Sequence, residues 1–235
     1  MKTKTRKSLL RAALVPVAAL AMGAATPAAV RAQAANPCAP AAMPANPCAP
    51  AAAAPAANPC APAAAPAAAP MPKDMYDTTV KAAQAPYGNQ MPNIVENYLR
   101  ATPYIGTGGN LDPAGIPMLK QMGFKTIIDF NTDEQGAAVQ GPMVTKAGMT
   151  YDHISVPTDA PTPDQVAEFA RIVEDPANYP ILMHCESANR VGAMWALYRA
   201  SKGVPNMVAV EEGRALGLKT NREAAVRKML GMPDL

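Results

Sequence analysis

Cys185 and Arg190 are the pair of residues in this sequence whose types and spacing could do chemistry. A short apolar run at 181–183 precedes Cys185, and an apolar helical pattern begins just after Arg190. A loop that leaves a strand and opens a helix directs several backbone N–H groups into one small space. The positive end of the helix dipole adds to their attraction for an anion. The segment therefore predicts an oxyanion site.

The side chains of this segment suit such a site. The guanidinium of Arg190 is a planar, permanently charged fork that can bind two oxyanion oxygens. The same positive field favours Cys185 as the nucleophilic thiolate. The alternative is that Cys185 only fills the core, because cysteine is among the most buried residue types. The adjoining His184, the small Gly192 and the absence of any other Cys after residue 72 favour the functional interpretation.

Strand and helix patterns alternate around this segment. The strand patterns are at 98–106, 125–130, 150–156 and 181–183. The helical patterns are at 112–122, 162–173, 191–198, 207–216 and 222–230. Pro103 interrupts the first strand and indicates an edge position, and Gly141-Pro142 is expected to break a further, weak helical stretch. The alternation predicts an α/β fold, a small, mostly parallel central sheet flanked by helices, with Cys185 at the carboxyl end of a strand.

Three parts are predicted along the chain. Residues 1–34 have a basic start, an apolar stretch and a small-residue end, which indicates a signal peptide cleaved after Ala34 and export to the periplasm. Residues 35–72 are almost entirely Ala and Pro and contain Asn-Pro-Cys-Ala-Pro three times, which predicts a disordered tail. Residues 73–235 have the size of one folded catalytic domain.

The charge distribution indicates which classes of binding partner are to be expected. The whole sequence has a net charge of +3, but residues 1–34 hold six of the 21 basic residues and none of the 18 acidic ones. The remainder is therefore acidic overall and gives no indication of binding nucleic acid or a membrane surface. After the leader, no apolar run approaches the ~20 residues of a membrane span.

The repeats contain three further cysteines, Cys38, Cys48 and Cys60. In an oxidising compartment these thiols could exchange with a partner or reach Cys185 as a resolving thiol or sulfur acceptor. A spacer whose repeats expanded by slippage explains them equally well.

From about residue 94 to residue 231 the chain resembles the dual-specificity-phosphatase-like superfamily, in particular the phosphatase-like domain of bacterial beta-lactamase-hydrolase-like proteins. The segments that resemble it are 104–109, 123–128, 184–192 and 212–218. The resemblance implies Cys185 as nucleophile, Arg190 as oxyanion clamp, and neither metal nor cofactor. It also implies a substrate-binding loop made of His184, Glu186, Ser187, Ala188, Asn189, Val191 and Gly192.

Four features depart from the phosphatase pattern. Four residues separate Cys185 from Arg190 where the phosphatases have five, and four is the spacing of rhodanese-type loops, whose cysteine carries a persulfide. Val191 replaces a hydroxyl residue that stabilises the leaving thiolate. Ala188 replaces a turn glycine, and Glu186 places a negative charge beside the anion site. These departures favour sulfur transfer as an alternative.

A phosphatase also needs a general acid to protonate its leaving group. The candidate is Asp159, after the third strand, and a turn-forming role ahead of Pro161 is the alternative. Asp129 could orient the loop. His153 is predicted to be structural, and His184 is predicted to bond the loop backbone. With two histidines in the chain, a catalytic metal centre is not expected.

Three functions remain open from the sequence. In the first, Cys185 attacks a phosphorylated substrate, Arg190 and the loop amides hold the oxygens, and Asp159 protonates the leaving oxygen. In the second, Cys185 takes a sulfane sulfur from a donor such as thiosulfate and passes it to a thiol. The third is a non-catalytic domain that binds a small oxyanion or a partner. The sequence favours an exported cysteine-dependent phosphatase-like hydrolase, with a rhodanese-like sulfurtransferase as first alternative.

Overall fold

Five strands form one sheet in the computed structural model, which describes residues 70–234. The strands are β1 (Leu99–Thr102), β2 (Ile105–Gly108), β3 (Thr126–Asp129), β4 (Thr150–His153) and β5 (Ile181–His184). Their order across the sheet is β1-β2-β5-β3-β4. The strands β2, β5, β3 and β4 run parallel, and β1 pairs antiparallel with β2 at one edge. The predicted α/β class with a mostly parallel sheet is confirmed.

Six α-helices accompany the sheet. They are α1 (Ile116–Gln121), α2 (Ala137–Lys146), α3 (Pro163–Val173), α4 (Asn189–Ser201), α5 (Asn206–Ala215) and α6 (Thr220–Met229). Local chemistry sets their ends as predicted: Thr162 caps α3 by accepting a hydrogen bond from the Gln165 N–H, and Gly123 follows α1 with φ of +96°. None of the helices within residues 70–234 has the length and apolar character needed to cross a bilayer.

The two faces of the sheet carry separate hydrophobic clusters. Side chains alternate along a strand, so Ile181 and Met183 of β5 face one cluster while Leu182 faces the other. The helices that contribute buried side chains are α3, α4, α5 and α6 in the first cluster and α1 and α2 in the second. The central strands are therefore covered on both faces, which is typical of a parallel sheet.

The helix α4 is buried more completely than its sequence pattern predicts. The pattern indicates one apolar face made of Val191, Met194, Trp195 and Tyr198, whereas every residue from 189 to 198 is buried. The reason is tertiary, because α4 packs against β5 and is also contacted by α3, α5 and α6. A helix enclosed in this way needs small or apolar residues around its circumference, except where a buried polar side chain is hydrogen-bonded, as Asn189 and Arg190 are.

The strand predicted at 98–106 is interrupted at Pro103 as expected, but the interruption is a turn between two antiparallel strands, of which β1 is an edge strand and β2 is internal. The prediction for α2 is wrong. The helix α2 continues through Gly141 and Pro142 instead of breaking there. Packing explains the continuity, because a Cβ on Gly141 would lie 2.8 Å from a ring carbon of Tyr151, so the glycine lets α2 approach β4 closely.

Candidate functional site

The Cys185 loop lies at the carboxyl end of β5, the middle strand, as the sequence predicts. Residues 185–188 connect β5 to α4, and Ala188 precedes the helix with φ of +62°. Non-glycine residues rarely adopt this left-handed conformation, so the loop makes the tight turn in spite of the alanine. Gly109, which follows β2, supports the loop from one side: a Cβ there would lie 3.3 Å from the Cα of Ser187.

The guanidinium of Arg190 is buried beside this loop and is held by neutral oxygens. Its Nε donates to the Val156 carbonyl at 2.9 Å, Nη1 to Asn131 Oδ1 at 3.2 Å, and Nη2 to Gln135 Oε1 at 2.7 Å. These bonds fix the plane of the fork and use three of its five N–H groups. Since the acceptors carry no charge, the positive charge of Arg190 remains available to an anion.

Asp129 is fully buried and fixes the turn that presents Asn131. One carboxylate oxygen accepts from the Asn131 N–H at 2.8 Å, and the other accepts from the Tyr151 hydroxyl at 2.9 Å. The Tyr151 pKa is raised by burial and by the Asp129 carboxylate. These are the contacts of a residue that orients Arg190 through Asn131, in line with the orienting role suggested by the sequence.

His184 packs in the core beside the buried carboxylate of Asp129. It is fully buried, and neither ring nitrogen makes a hydrogen bond to any residue in 70–234; Nε2 lies 3.7 Å from Asp129 Oδ2. Burial lowers the His184 pKa, while Asp129 and the backbone groups of Gly109 and Cys185 act in the opposite direction. The predicted bond from the ring to the loop backbone is therefore not made with ordinary geometry, although the backbone groups of Gly109 and Cys185 lie close enough to act on the ring. The His184 carbonyl instead accepts from the Phe130 N–H at 3.0 Å.

Gln135 links the loop carboxylate to the guanidinium. Its Nε2 donates to Glu186 Oε2 at 2.9 Å while its Oε1 accepts from Arg190. The amide therefore stands between the negative charge of Glu186 and the positive charge of Arg190. Both Gln135 and Glu186 are exposed, so the carboxylate also remains solvated.

The predicted acid, Asp159, is exposed in the bend that follows β4. The bend is tied down at its neighbour Thr158, whose carbonyl accepts a hydrogen bond from Arg222 of α6. Burial lowers the pKa of Arg222, the charge of Arg190 lowers it further, and Asp159 and Cys185 raise it. The structure therefore places Asp159 three residues after the Val156 carbonyl that binds Arg190, and adds Arg222 on the Thr158 carbonyl next to Asp159.

The remaining loop residues fasten the loop to its surroundings. Asn189 accepts from the Lys219 N–H at 2.8 Å and donates to Asn221 at 3.0 Å, which joins the loop to the start of α6. Val191 and Gly192 are buried in α4, and Ser187 is half-buried.

His153 has the predicted structural role, because its Nε2 lies 2.7 Å from the Asn131 carbonyl. Across residues 70–234, no three His, Cys, Asp or Glu side chains are grouped so as to hold a metal ion.

Sequence reasoning missed three site residues: Asn131, Gln135 and Arg222. The first two follow β3, which pairs directly with β5. Polar residues just after Asp129 were therefore a usable signal, because the ends of adjacent parallel strands meet at one edge. Arg222 had no such signal. The repeat cysteines Cys38, Cys48 and Cys60 lie outside the described residues.

Comparison with known families and structures gives the following matches. The family model described as "DSP-PTPase phosphatase fused to NAD+ Kinase" matches residues 97–229. A DUF442 phosphatase candidate from Shewanella putrefaciens CN-32 is 24% identical, with 58% of this chain and 93% of that chain covered and a TM-score of 0.48.

Two further solved structures are similar. P. aeruginosa TpbA, in complex with pTyr, is 22% identical over 62% of this chain and 89% of that chain, with a TM-score of 0.48. The core catalytic domain of the PP-IP phosphatase SIW14 from S. cerevisiae is 17% identical over 60% of this chain and 87% of that chain, with a TM-score of 0.47. Among curated proteins there is no match.

Proposed function

Because the chain belongs to the family described as DSP-PTPase phosphatase fused to NAD+ kinase, we propose that it is a cysteine-dependent phosphatase-like hydrolase with Cys185 as its nucleophile. Membership confirms the resemblance to the dual-specificity-phosphatase-like superfamily and supports a phosphatase-type hydrolase at the family level. The roles of individual residues are our proposal. The observation that carries it is the buried Arg190 guanidinium, fixed by neutral oxygens next to the Cys185 loop.

In the proposed reaction, the Cys185 thiolate attacks phosphorus and the bond to the leaving oxygen breaks. Asp159 gives its proton to that oxygen. Water then hydrolyses the phosphocysteine, which releases phosphate and returns the thiolate. Throughout, the remaining N–H groups of Arg190 and the loop amides hold the phosphoryl oxygens. Val191 offers no hydroxyl to the departing thiolate, so the second step is expected to be the slower one.

The amide of Gln135 occupies a position that a phosphoryl oxygen can take over. Its Oε1 accepts from Arg190 Nη2 at 2.7 Å, and both Gln135 and its partner Glu186 are exposed. A charged oxygen makes a stronger hydrogen bond to a guanidinium than an amide oxygen does. Exchange of one for the other therefore favours binding of the oxyanion at Arg190, and it requires the exposed Gln135 side chain to give up its bonds to the Thr132 N–H and to Glu186.

The short loop favours one second function, sulfur transfer. Residues 186–189 are the only ones between Cys185 and Arg190, and Ala188 makes the turn in a left-handed conformation. In this alternative the Cys185 thiolate takes the outer sulfur of thiosulfate and sulfite leaves. The resulting persulfide then passes its sulfur to an acceptor thiol. This reaction needs neither Asp159 nor a hydroxyl at position 191.

The experiment that tests the proposal compares the two chemistries on one preparation. The protein is incubated separately with p-nitrophenyl phosphate and with thiosulfate, then assayed for phosphate release and weighed by intact mass spectrometry. Phosphate release without a sulfur adduct is expected. A gain of about 32 Da from thiosulfate with no phosphate release would establish the persulfide alternative. Inactivity towards both would overturn the enzyme proposal.

Asp159→Asn is expected to lower kcat for phenyl phosphate, a substrate with a poor leaving group, by about 10²–10⁴-fold, because general-acid catalysis typically contributes that much. The loss should be much smaller for p-nitrophenyl phosphate, whose leaving oxygen needs little protonation. Asp164→Asn, another exposed carboxylate on the first turn of α3, is the matched control. Equal rates for Asp159→Asn and the parent with both substrates would remove Asp159 from the mechanism.

Arg190→Lys is expected to lower kcat/KM by about 10²-fold in either chemistry, because one ammonium cannot replace the planar fork that spans three protein acceptors and a bound oxyanion. The rate is measured with p-nitrophenyl phosphate and with thiosulfate, alongside thermal unfolding. Arg171→Lys, at an exposed position of α3, is the control. A folded Arg190→Lys protein with the parent rate would contradict the clamp role.

Export is the last part of the proposal. The leader at 1–34 and the Ala/Pro tail at 35–72 are inferred from the sequence alone, because residues before 70 lie outside the described part of the chain. If the leader acts as proposed, the protein recovered from a periplasmic extract begins at Ala35. Recovery only in the cytoplasm with residues 1–34 intact would contradict export.

A further inference from the structure

Arg222 lies beside the proposed site and has most of its hydrogen-bonding capacity unused. It is the third residue of α6 and is half-buried. To the residues in 70–234 its guanidinium makes a single hydrogen bond, from Nη1 to the Thr158 carbonyl. Since an arginine has five N–H groups, four remain for a ligand.

Arg190 and Arg222 differ from the other arginines of the last three helices in the kind of group that they bind. Five arginines lie on α4, α5 and α6, and three of them pair with carboxylates: Arg199 with Glu212, and Arg214 and Arg227 with Glu223. By contrast, the partners of Arg190 and Arg222 in the described part of the chain are neutral oxygens. Neither Arg190 nor Arg222 therefore forms an ion pair with a carboxylate in residues 70–234, although Asp159 attracts Arg222 at longer range.

The two cations donate to carbonyl groups only two residues apart, Arg190 to Val156 and Arg222 to Thr158. Burial is the largest cause that lowers the pKa of Arg222, the charge of Arg190 lowers it further, and Asp159 and Cys185 act in the opposite direction. Holding like charges together in a partly buried position opposes folding unless another interaction offsets it. An anion bound between them would relieve this repulsion, and one that carries two charged groups could contact both.

The position of Arg222 relative to the loop is fixed by the fold. The start of α6 is bonded to Asn189 of the loop through the Lys219 N–H at 2.8 Å and the Asn221 side chain at 3.0 Å. The connection from α5 also touches the loop, because a Cβ on Gly217 would lie 2.7 Å from the Cβ of Ala188. Arg222 therefore approaches the site from a rigid element.

We infer that Arg222 forms a second anion subsite beside Cys185 and Arg190, so that the preferred substrate is a phosphate ester carrying a second anionic group near the reacting phosphate. The identity of the reacting phosphate rests on the proposed function. Arg190 holds the reacting group in the loop, and Arg222 binds the second charge where α6 meets the 158–160 bend. The Thr158 carbonyl and the α6 backbone set the distance between the two groups.

The test measures binding, so it does not depend on turnover. Orthophosphate and pyrophosphate are titrated by calorimetry into the Cys185→Ser protein and into the same protein with Arg222→Gln added. Pyrophosphate is expected to bind at least about tenfold more tightly than orthophosphate in the first protein, corresponding to about 1.4 kcal/mol. The added Arg222→Gln should reduce that ratio to about threefold or less, because the second charge loses its partner.

The control is Arg171→Gln in the same background, which removes the same charge from an exposed position of α3. It is expected to keep the preference for pyrophosphate. An unchanged ratio in the Arg222→Gln protein, or an equal fall in the Arg171→Gln protein, would overturn the subsite. Thermal unfolding checks that each variant is folded, and Arg222→Met, which keeps the aliphatic stem, repeats the test if the glutamine variant is unfolded.

The outcomes separate this inference from the proposed function. If the protein releases no phosphate from any ester but loses its pyrophosphate preference with Arg222→Gln, the subsite is supported and the phosphatase proposal is contradicted. If the protein hydrolyses p-nitrophenyl phosphate but its ratio of pyrophosphate to orthophosphate affinity is unchanged by Arg222→Gln, the phosphatase proposal is supported and the subsite is contradicted.

Discussion

Cys185→Ser is expected to abolish turnover, with a loss of at least about 10⁴-fold in kcat, because the serine hydroxyl is not ionised near neutral pH and is a far weaker nucleophile. The substitution keeps the side chain almost the same size, which matters at a position only 1% exposed. Thermal unfolding close to that of the parent, together with retained binding of orthophosphate, would assign the loss to chemistry. Phosphate release is the primary measurement.

The matched control replaces the three tail cysteines Cys38, Cys48 and Cys60 with Ser and leaves Cys185 in place. If Cys185 acts alone, this protein keeps its rate and its redox state. A lower rate or an altered redox state would instead support a tail thiol as resolving or acceptor group. A folded Cys185→Ser protein that retains more than about 1% of the rate would contradict the nucleophile assignment, given the losses typical of removed nucleophiles.

Gly192→Ala is expected to destabilise the fold by about 3 kcal/mol, the upper end of what overpacking a core usually costs. A Cβ at this position would lie 2.3 Å from the Leu218 nitrogen and 2.4 Å from the Gly213 carbonyl oxygen. Both are backbone atoms, so no rotamer change can relieve the overlap. For a protein of this size the midpoint of thermal unfolding should fall by about 6–12 °C.

Gly88→Ala is the control for this prediction. It makes the same chemical change, but its nearest added contact is an ordinary one, 3.7 Å from the Tyr98 carbonyl oxygen. Its unfolding midpoint should stay within about 2 °C of the parent, as for surface substitutions generally. A Gly192→Ala protein that unfolds as late as the Gly88→Ala protein would contradict the close packing of α4 on the 217–218 connection.

The close packing at Gly192 also affects the position of Arg222 in the proposed anion subsite. The connection that approaches Gly192 leads directly into α6, which carries Arg222 and is bonded to Asn189 of the loop. A folded Gly192→Ala protein would have to separate α4 from the Gly213 carbonyl and from Leu218, and a shift of Leu218 would move the attached α6 relative to Cys185. In that case the Gly192→Ala variant should weaken the pyrophosphate preference in the same binding assay.

The sequence by itself determined the local parts of this protein. The order β5, loop, α4 and the five-residue step from Cys185 to Arg190 are contained within a few turns of chain, where apolar periodicity and capping residues specify structure. The same locality explains why the strand at β3, the cap at Thr162 and the two last helices were predicted. Alternation of these elements was enough to predict the mostly parallel sheet.

Only the tertiary structure decided what holds the site together. The acceptors of Arg190 are Val156, Asn131 and Gln135, which are 34, 59 and 55 residues away in sequence. Likewise, the continuity of α2 and the burial of α4 on all sides depend on neighbours that no local pattern contains. The physical reason is that hydrogen bonds and charges act over a few ångströms of space, and packing alone brings distant segments within that range. Arg222, 37 positions after Cys185 in the sequence, became a candidate binding residue for the same reason.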